Sequence, residues 1–516
     1  MMMKKTLSLL LVLLLVLSAA PAFARDSNNM NQDGYSTSYT YGYDYWGDSQ
    51  ESPDAYRVKA VIDSVTLGLE KDGGKKLNKP QGLFVRNNDL YIVDTYNNRI
   101  VQVEYRDNTY QLKRIIDRVN GGSPETFSTP YDVFVDPEDN IYVADYGNYR
   151  VVMMDKDLNW IKEFVKPDDS TFDQKLDFLP KKITVDVAGR VYAIVTNVNK
   201  GLVKYEADGT FTGYIGATPV TSTMAQYIWK RYFQTQAQRE ASASFVPTEY
   251  ENLYIDKDNF IYTTTTSFSD TALSNDQVTP IRRLNGLGSD ILVRNDNKYP
   301  IGDIWWIAAD STYYGPSRMT DITVFDNDIY VALDRIRGRL FGYDDQGVLL
   351  WAFGTRGGVN GAFVRAVALE HMGYDLLVLD ETKNSVTVFS TTEYGSMIYE
   401  ATELYQAGEY TRSADKWMDV MKLNANYPLA FRGVGRALMR DDKYEEAMKY
   451  FKMAYDDENY GRAFKLYRKE WVEKNVWWIL LVLAVVIIIP LVIGRIKRTK
   501  WEVIMHEQSK VRRNNG

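Results

Sequence analysis

The sequence predicts a mainly β protein: a six-bladed β-propeller, then a small α-helical unit, then one C-terminal transmembrane helix. Three observations predict this. A phrase of short strands and polar turns recurs with a proline at its head, at Pro80, Pro130 and Pro180, fifty residues apart each time. Near Tyr394 the apolar pattern changes from alternating to helical. Residues 476–494 form an uncharged run. Short strands repeated at a period near fifty are the signature of small sheets arrayed around an axis.

In chain order, Lys4 and Lys5 precede the uncharged run from Leu7 to Ala20 and the small-residue triplet Ala22-Phe23-Ala24. That is the three-part form of a secretory signal, so residues 1–24 are read as a signal peptide cleaved after Ala24. Residues 25–55 form a Tyr-, Ser- and Asn-rich leader, expected to be disordered in its first part and docked on the propeller in its second. Pro80 is followed by QGLFVRNNDLYIVDTYNNRIVQVEY, Pro130 by YDVFVDPEDNIYVADYGNYRVVMMD and Pro180 by KKITVDVAGRVYAIVTNVNKGLVKY. Fourth and fifth copies open at Pro247 and Pro316 after longer inserts, and a sixth lies near Phe363. A ring of sheets has to cover its last edge or leave it open to pair with other chains. The strand-like segment from Tyr56 to Leu67 precedes the first full copy and is predicted to close the sixth blade, which places the propeller at residues 56–392.

The turn phrases DTYNNRIV, Asp94 to Val101, and DYGNYRVV, Asp145 to Val152, resemble those of NHL repeats. Neither the Trp-Asp pair of WD40 repeats nor the double glycine of kelch repeats recurs in register. In the third copy Thr196 is read as standing in the place of the aspartate. With its Tyr-rich leader the chain is also similar to secreted NHL proteins of Gram-positive bacteria, a resemblance that implies a sugar ABC transporter as a partner in the envelope.

Downstream, Gly408, Tyr410 and Trp417 are matched thirty-four residues later by Asp442, Tyr444 and Phe451, the tetratricopeptide (TPR) period. Gly435, Ala447 and Ala454 fall at offsets where small residues and the rings of Tyr444 and Phe451 let paired helices interlock. Residues 394–475 are therefore read as TPR-like repeats, with Phe464, Tyr467 and Trp471 as one stripe of a capping helix. Two repeats are few for an independent solenoid, so the unit is expected to lean on the propeller or on a partner. At about 1.5 Å per residue, the run 476–494 is long enough to cross a hydrocarbon core of about 30 Å. Trp477 and Trp478 lie at one rim; Arg495, Lys497, Arg498 and Lys500 lie at the other. The positive-inside rule then assigns 495–516 to the cytoplasm as a basic tail and the main body to the outside.

Composition narrows the chemistry. Removing the nine bases and two acids of the signal and tail from the totals of 61 and 68 leaves a net charge of −14 for residues 25–494. So acidic a body is unsuited to nucleic acid, which needs clustered cations. There is no cysteine, and the histidines are His371 and His506, so thiolate sites and multi-histidine zinc sites are excluded from the body. His371, in the phrase EHMGYD, is read as an exposed loop residue rather than a catalytic base. Asp94, Asp145, Asp334 and Asp380 end the second strands of their blades and are read as structural turn residues, with Arg99, Arg150 and Arg339 pairing carboxylates of neighbouring blades.

The binding candidates are Trp229, Arg231 and Tyr232 in YIWKRYFQ, and Trp305, Trp306, Tyr313 and Tyr314 in DIWWIAADSTYY. Long loops on a rigid scaffold carry binding, and aromatic rings suit sugar faces and protein hot spots. No catalytic residue, metal or cofactor is assigned. The expected function is a non-enzymatic, membrane-anchored extracellular binding or scaffold protein, its propeller holding a ligand or protein and its TPR unit coupling to a membrane complex. The alternative is a tethered lactonase or hydrolase with calcium in the propeller channel, for which no set of Glu, Asn and Asp is mapped.

Overall fold

In the computed structural model the described residues are 39–514, apart from 45, 48, 72–73, 220–244, 247–248, 269–272, 274–278, 295–299 and 304–315. The signal peptide and the first part of the leader lie outside them. Blade 1 is Gly82–Arg86, Asp89–Asp94, Arg99–Arg106 and Thr109–Ile116; blade 2 is Pro130–Val135, Ile141–Asp145, Arg150–Met154 and Trp160–Val165. Blade 3 is Pro180–Val185, Val191–Val195, Leu202–Tyr205 and Phe211–Ile215; blade 4 has three described strands, Asn252–Ile255, Ile261–Thr264 and Ile281–Leu284. Blade 5 is Met319–Val324, Tyr330–Asp334, Arg339–Tyr343 and Leu349–Phe353; blade 6 is Ala366–Met372, Asp375–Asp380 and Ser385–Thr391.

Both faces of a blade press on neighbours, so second strands such as IYVAD, VYAIV and YVALD are apolar on both sides and wholly buried. The outermost strands Thr109–Ile116 and Trp160–Val165 are mostly exposed. Among the described residues the core divides into six hydrophobic clusters, one at each contact between adjacent blades. Every blade therefore packs on two others and the ring is closed. Tyr56–Ile62 completes blade 6 as predicted, running antiparallel to Ser385–Thr391 with Tyr56 opposite Thr391 and Val61 opposite Thr387.

The second part of the leader docks on blade 5. Thr40–Tyr43 pairs with the outer strand Leu349–Phe353, and Ser49–Glu51 pairs with Thr40–Tyr43 in turn. A buried ion network holds this hairpin: Tyr41 and Tyr43 donate to Asp303 at 2.5 and 2.9 Å, and Arg339 donates to Asp303 at 2.9 Å and to Tyr41 at 2.7 Å.

Five helices follow: α1 Glu393–Gln406, α2 Tyr410–Leu423, α3 Pro428–Arg440, α4 Tyr444–Met453 and α5 Asp457–Asn514. Thr392 caps α1, its Oγ1 accepting from the Gly395 N–H at 3.2 Å while its own N–H donates to the Ala55 carbonyl at 3.0 Å. A Cβ on Gly395 would collide with that carbonyl, so α1 lies backbone against backbone with the chain entering the closing strand. Leu340, Trp351 and Phe353 of blade 5 share one cluster with Tyr399, Trp417, Val434 and Phe451 of the helices. Tyr56 Oη and Tyr399 Oη are 2.6 Å apart within it. Each ring so buried contributes about 1.5–3 kcal/mol, which makes propeller and helices one folded body.

The helix α5 leaves that body early. Ala463 is buried against it, whereas Phe464 and Trp471 are 45% and 50% exposed. The expected capping stripe thus faces outward, because α4 is only ten residues long and α5 outruns it. Further on, α5 is long and apolar enough to cross a membrane, and it continues through Pro490.

Candidate functional site

The first strand of every blade faces the axis. Gly82, Asp132, Lys182, Asn252, Asp321 and Ala368 occupy one equivalent ladder position, opposite Val93, Ala144, Ile194, Thr264, Leu333 and Leu379 respectively. At blade 1 the neighbouring chain comes so near that a Cβ on Gly82 would lie 2.5 Å from the Tyr131 carbonyl. The four polar members line a cavity of about 360 Å³ in the channel, joined by Glu370, two residues beyond Ala368, and by Phe84, Phe134 and Tyr254.

Hydrogen bonding in this cavity is uneven. Asp321 is saturated: it accepts from Asn252 Nδ2, from the Ile322 N–H at 2.7 Å and from the Leu369 N–H at 2.8 Å. Asp132 accepts the Ile183 N–H at 3.0 Å and stands 3.5 Å from the Lys182 ammonium. Glu370 accepts only the N–H of His371 at 3.4 Å, so among the described residues its carboxyl has no side-chain partner.

Electrostatics follow from that pattern. Burial, with Asp321 and Asp132 adding their repulsion, holds the Glu370 carboxyl well above the usual carboxylate range. Burial also pushes Asp321 up to about 7 against the pull of Lys182 and its backbone donors. Burial pulls the Lys182 ammonium down, but Asp132 and the other channel carboxyls keep it above its ordinary value. At the mouth Asp186 and Asp256 are paired with Arg190 and Arg283, each at 2.7 Å. A unit charge about 4 Å away interacts by about 4 kcal/mol at an effective dielectric of about 20. A neutral hydrogen bond contributes about 1 kcal/mol. A cation that meets Glu370 in its ionised form therefore gains more there than a neutral hydrogen-bonding group does. Lys257 at the mouth also borders a cleft of about 940 Å³ between the propeller turns and the helices, where Arg432, Arg436 and Arg440 line α3.

None of the turn aspartates lines this cavity. Asp94 accepts from the Asn78 N–H at 2.7 Å, Asn97 at 2.8 Å and Arg99 at 2.7 Å. Asp145 repeats the pattern with Ser128 at 2.8 Å, Asn148 at 2.8 Å and Arg150 at 3.0 Å. Asp380 accepts backbone N–H groups of Val364, Arg365, Thr382 and Lys383. Asp334 accepts those of Ile336 and Arg337, while Arg339 turns to Asp303. The arginines Arg99 and Arg150 thus pair inside their own blade rather than across to a neighbour, since a partner five residues back across a tight turn is nearer than the next sheet. In blade 3 the aspartate place belongs to Val195, opposite Pro180 as Asp145 is opposite Pro130, and not to Thr196.

The sequence candidates Trp229, Arg231, Tyr232, Trp305, Trp306, Tyr313 and Tyr314 lie outside the described residues. The exposed-loop reading of His371 is corrected: the strand Ala366–Met372 extends past it, Leu376 pairs with it, and Nδ1 lies 2.6 Å from Thr323 Oγ1. Burial holds its pKa down to about 4, so the ring is neutral. Among the described residues no group of three or more His, Asp or Glu is placed to hold a metal ion. Sequence reading missed Asp132, Lys182, Asn252, Asp321 and Glu370. The available signal was a charged residue two places after Pro130 and again after Pro180.

No protein-family model and no curated protein matches the chain. Among solved structures, a catalytically inactive virginiamycin B lyase from Staphylococcus aureus with quinupristin aligns at 14% identity and a TM-score of 0.37, covering 64% of this chain and 85% of its own. A streptogramin B lyase aligns at 11% identity and a TM-score of 0.35, covering 65% and 97%. A Bacteroides thetaiotaomicron protein of unknown function aligns at 11% identity and a TM-score of 0.39, covering 67% and 78%.

Proposed function

We propose that this protein is a non-enzymatic, single-pass, membrane-anchored binding protein. Its NHL-type propeller takes a ligand outside the cell, in the central channel, and its TPR-type helices couple that event to a membrane complex. The observation that carries this reading is the aromatic core shared by blade 5 and the helices, with α5 running on from it into the apolar span. A change at the channel mouth is then passed through packed side chains to the helices and not across a loose linker. The partner is an envelope protein, with sugar ABC transporter components suggested by the NHL resemblance. Crosslinking on intact cells, followed by recovery of the protein in mild detergent, is expected to enrich such an assembly. Recovery of the protein by itself would count against the coupling role.

A further inference from the structure

The channel cavity holds two buried charged side chains with few protein partners. Glu370 and Lys182 are each 7% exposed and line the cavity. Among the described residues Glu370 has only the N–H of its own neighbour, and the Lys182 ammonium has one carboxylate contact, at 3.5 Å, with Asp132. Buried polar groups with so few protein partners are placed to bond a molecule in the cavity. Facing Glu370 across the channel stand Asp132 of blade 2, Lys182 of blade 3, Tyr254 of blade 4 and Asp321 of blade 5, with Arg86 of blade 1 at the wall. Lys182 lies nearest Asp132 and also draws on Asp321, which leaves Glu370 as the cavity carboxyl with no side-chain bond among the described residues.

We propose that the channel binds a ligand carrying a protonated amine, whose ammonium sits on Glu370, beside Asp321, and whose apolar body lies on the rings of Phe84 and Phe134. Those rings are 4.9 Å apart and line the same cavity, giving a face for an alkyl or aryl body and for cation–π attraction. The volume of about 360 Å³ is in the range of small-molecule sites. A divalent metal fits less well, because no three carboxyl or imidazole groups converge among the described residues and the Lys182 ammonium occupies the neighbouring place. Both facing carboxyls hold their protons more tightly than ordinary side chains do. An arriving ammonium lowers their proton affinity, so binding releases protons and tightens as pH rises from 6 to 8, by up to about tenfold per unit for one proton released.

The assignment rests on reading the propeller as a binding module, and it is tested separately from the coupling role. Full-length protein in detergent is titrated with benzylamine, with benzyl alcohol as its uncharged isostere, and with calcium chloride, following melting temperature and calorimetric binding. Benzylamine is expected to stabilise and benzyl alcohol not to. Calorimetry in two buffers of different ionisation enthalpy is expected to show proton release. Glu370→Gln is expected to weaken benzylamine at least tenfold while melting no lower than the native chain without ligand, which separates a lost site from a lost fold. Equal binding of amine and alcohol, stabilisation by calcium but not by amine, or unchanged affinity in Glu370→Gln would overturn the assignment. If crosslinking succeeds while benzylamine fails, the ligand class falls and the anchored scaffold stands.

Discussion

Glu370 and Asp303 are both buried carboxyls, and their surroundings set opposite expectations for mutation. Asp303 accepts from Tyr41 and Tyr43 and faces Arg337 and Arg339 at 3.3 and 2.9 Å, so its charge is matched. Removing one member of a buried ion network leaves the others unmatched, at a cost on the order of 3–5 kcal/mol. Asp303→Ala is expected to lower the denaturation midpoint accordingly and to release the leader hairpin to proteolysis. Glu370 is the reverse case, a carboxyl raised well above the usual range by burial and nearby carboxylates. A proton held more tightly in the folded than in the unfolded chain supports folding fully below the ordinary Glu pKa of about 4.3, and that support is lost as pH rises. Glu370→Gln is therefore expected to stabilise at pH 8, by on the order of 1–3 kcal/mol, and to change little at pH 4. Thermal melts of both chains at the two pH values check this; a gain at pH 4 equal to that at pH 8 would remove the electrostatic account.

Strands and helices inherit their places from the same residues that made them readable. The closing strand was legible because RVKAVIDSVTL alternates, precedes the first full repeat and has no sheet of its own to join. Ala60 pairs with Val388 in that strand. Ala60→Pro fixes φ and removes an N–H at the centre of the closing strand, and is expected to destabilise it, with loss of hydrogen-exchange protection along Ser385–Thr391 and aggregation through the bared edge. Gly395→Val acts at the junction, where any side chain meets the Ala55 carbonyl. It is expected to loosen α1 from the closing strand and lower the melting temperature without altering blades 1 to 4. The channel set was not legible for a reason that also comes from the repeat. Period finding rewards what recurs, and the axial position reads Gly82, Asp132, Lys182, Asn252, Asp321 and Ala368, a different residue nearly every time. Glu370 stands two residues off that position and spans 238 residues of sequence to meet Asp132, so only closure of the ring brings the two together. The helical stripe Phe464, Tyr467 and Trp471 misled because periodicity shows that a helix has a face, not what covers it.

At the scale of the whole molecule, charge decides how the propeller stands relative to a bilayer. The body outside the span carries a net −14, and its contact with anionic headgroups is repulsive. After Ala463 the helix α5 runs through residues 464–475, mostly exposed, before the apolar segment begins. In the proposed single-pass arrangement those twelve residues give a stalk of about 18 Å, longer than a Debye length of about 8 Å, which would hold the acidic body where its repulsion is screened. The proposed orientation follows from the positive-inside rule applied to Arg495, Lys497, Arg498 and Lys500, which leaves Trp477 and Trp478 at the opposite interface. Because the chain has no cysteine, single cysteines report topology without background. Thr210→Cys, at an exposed turn of blade 3, is expected to react with a membrane-impermeant maleimide on intact cells. Ser509→Cys, in the tail, is expected to react only after permeabilisation. The opposite pattern would put the propeller in the cytoplasm, and the channel would then have to draw its ligand from there.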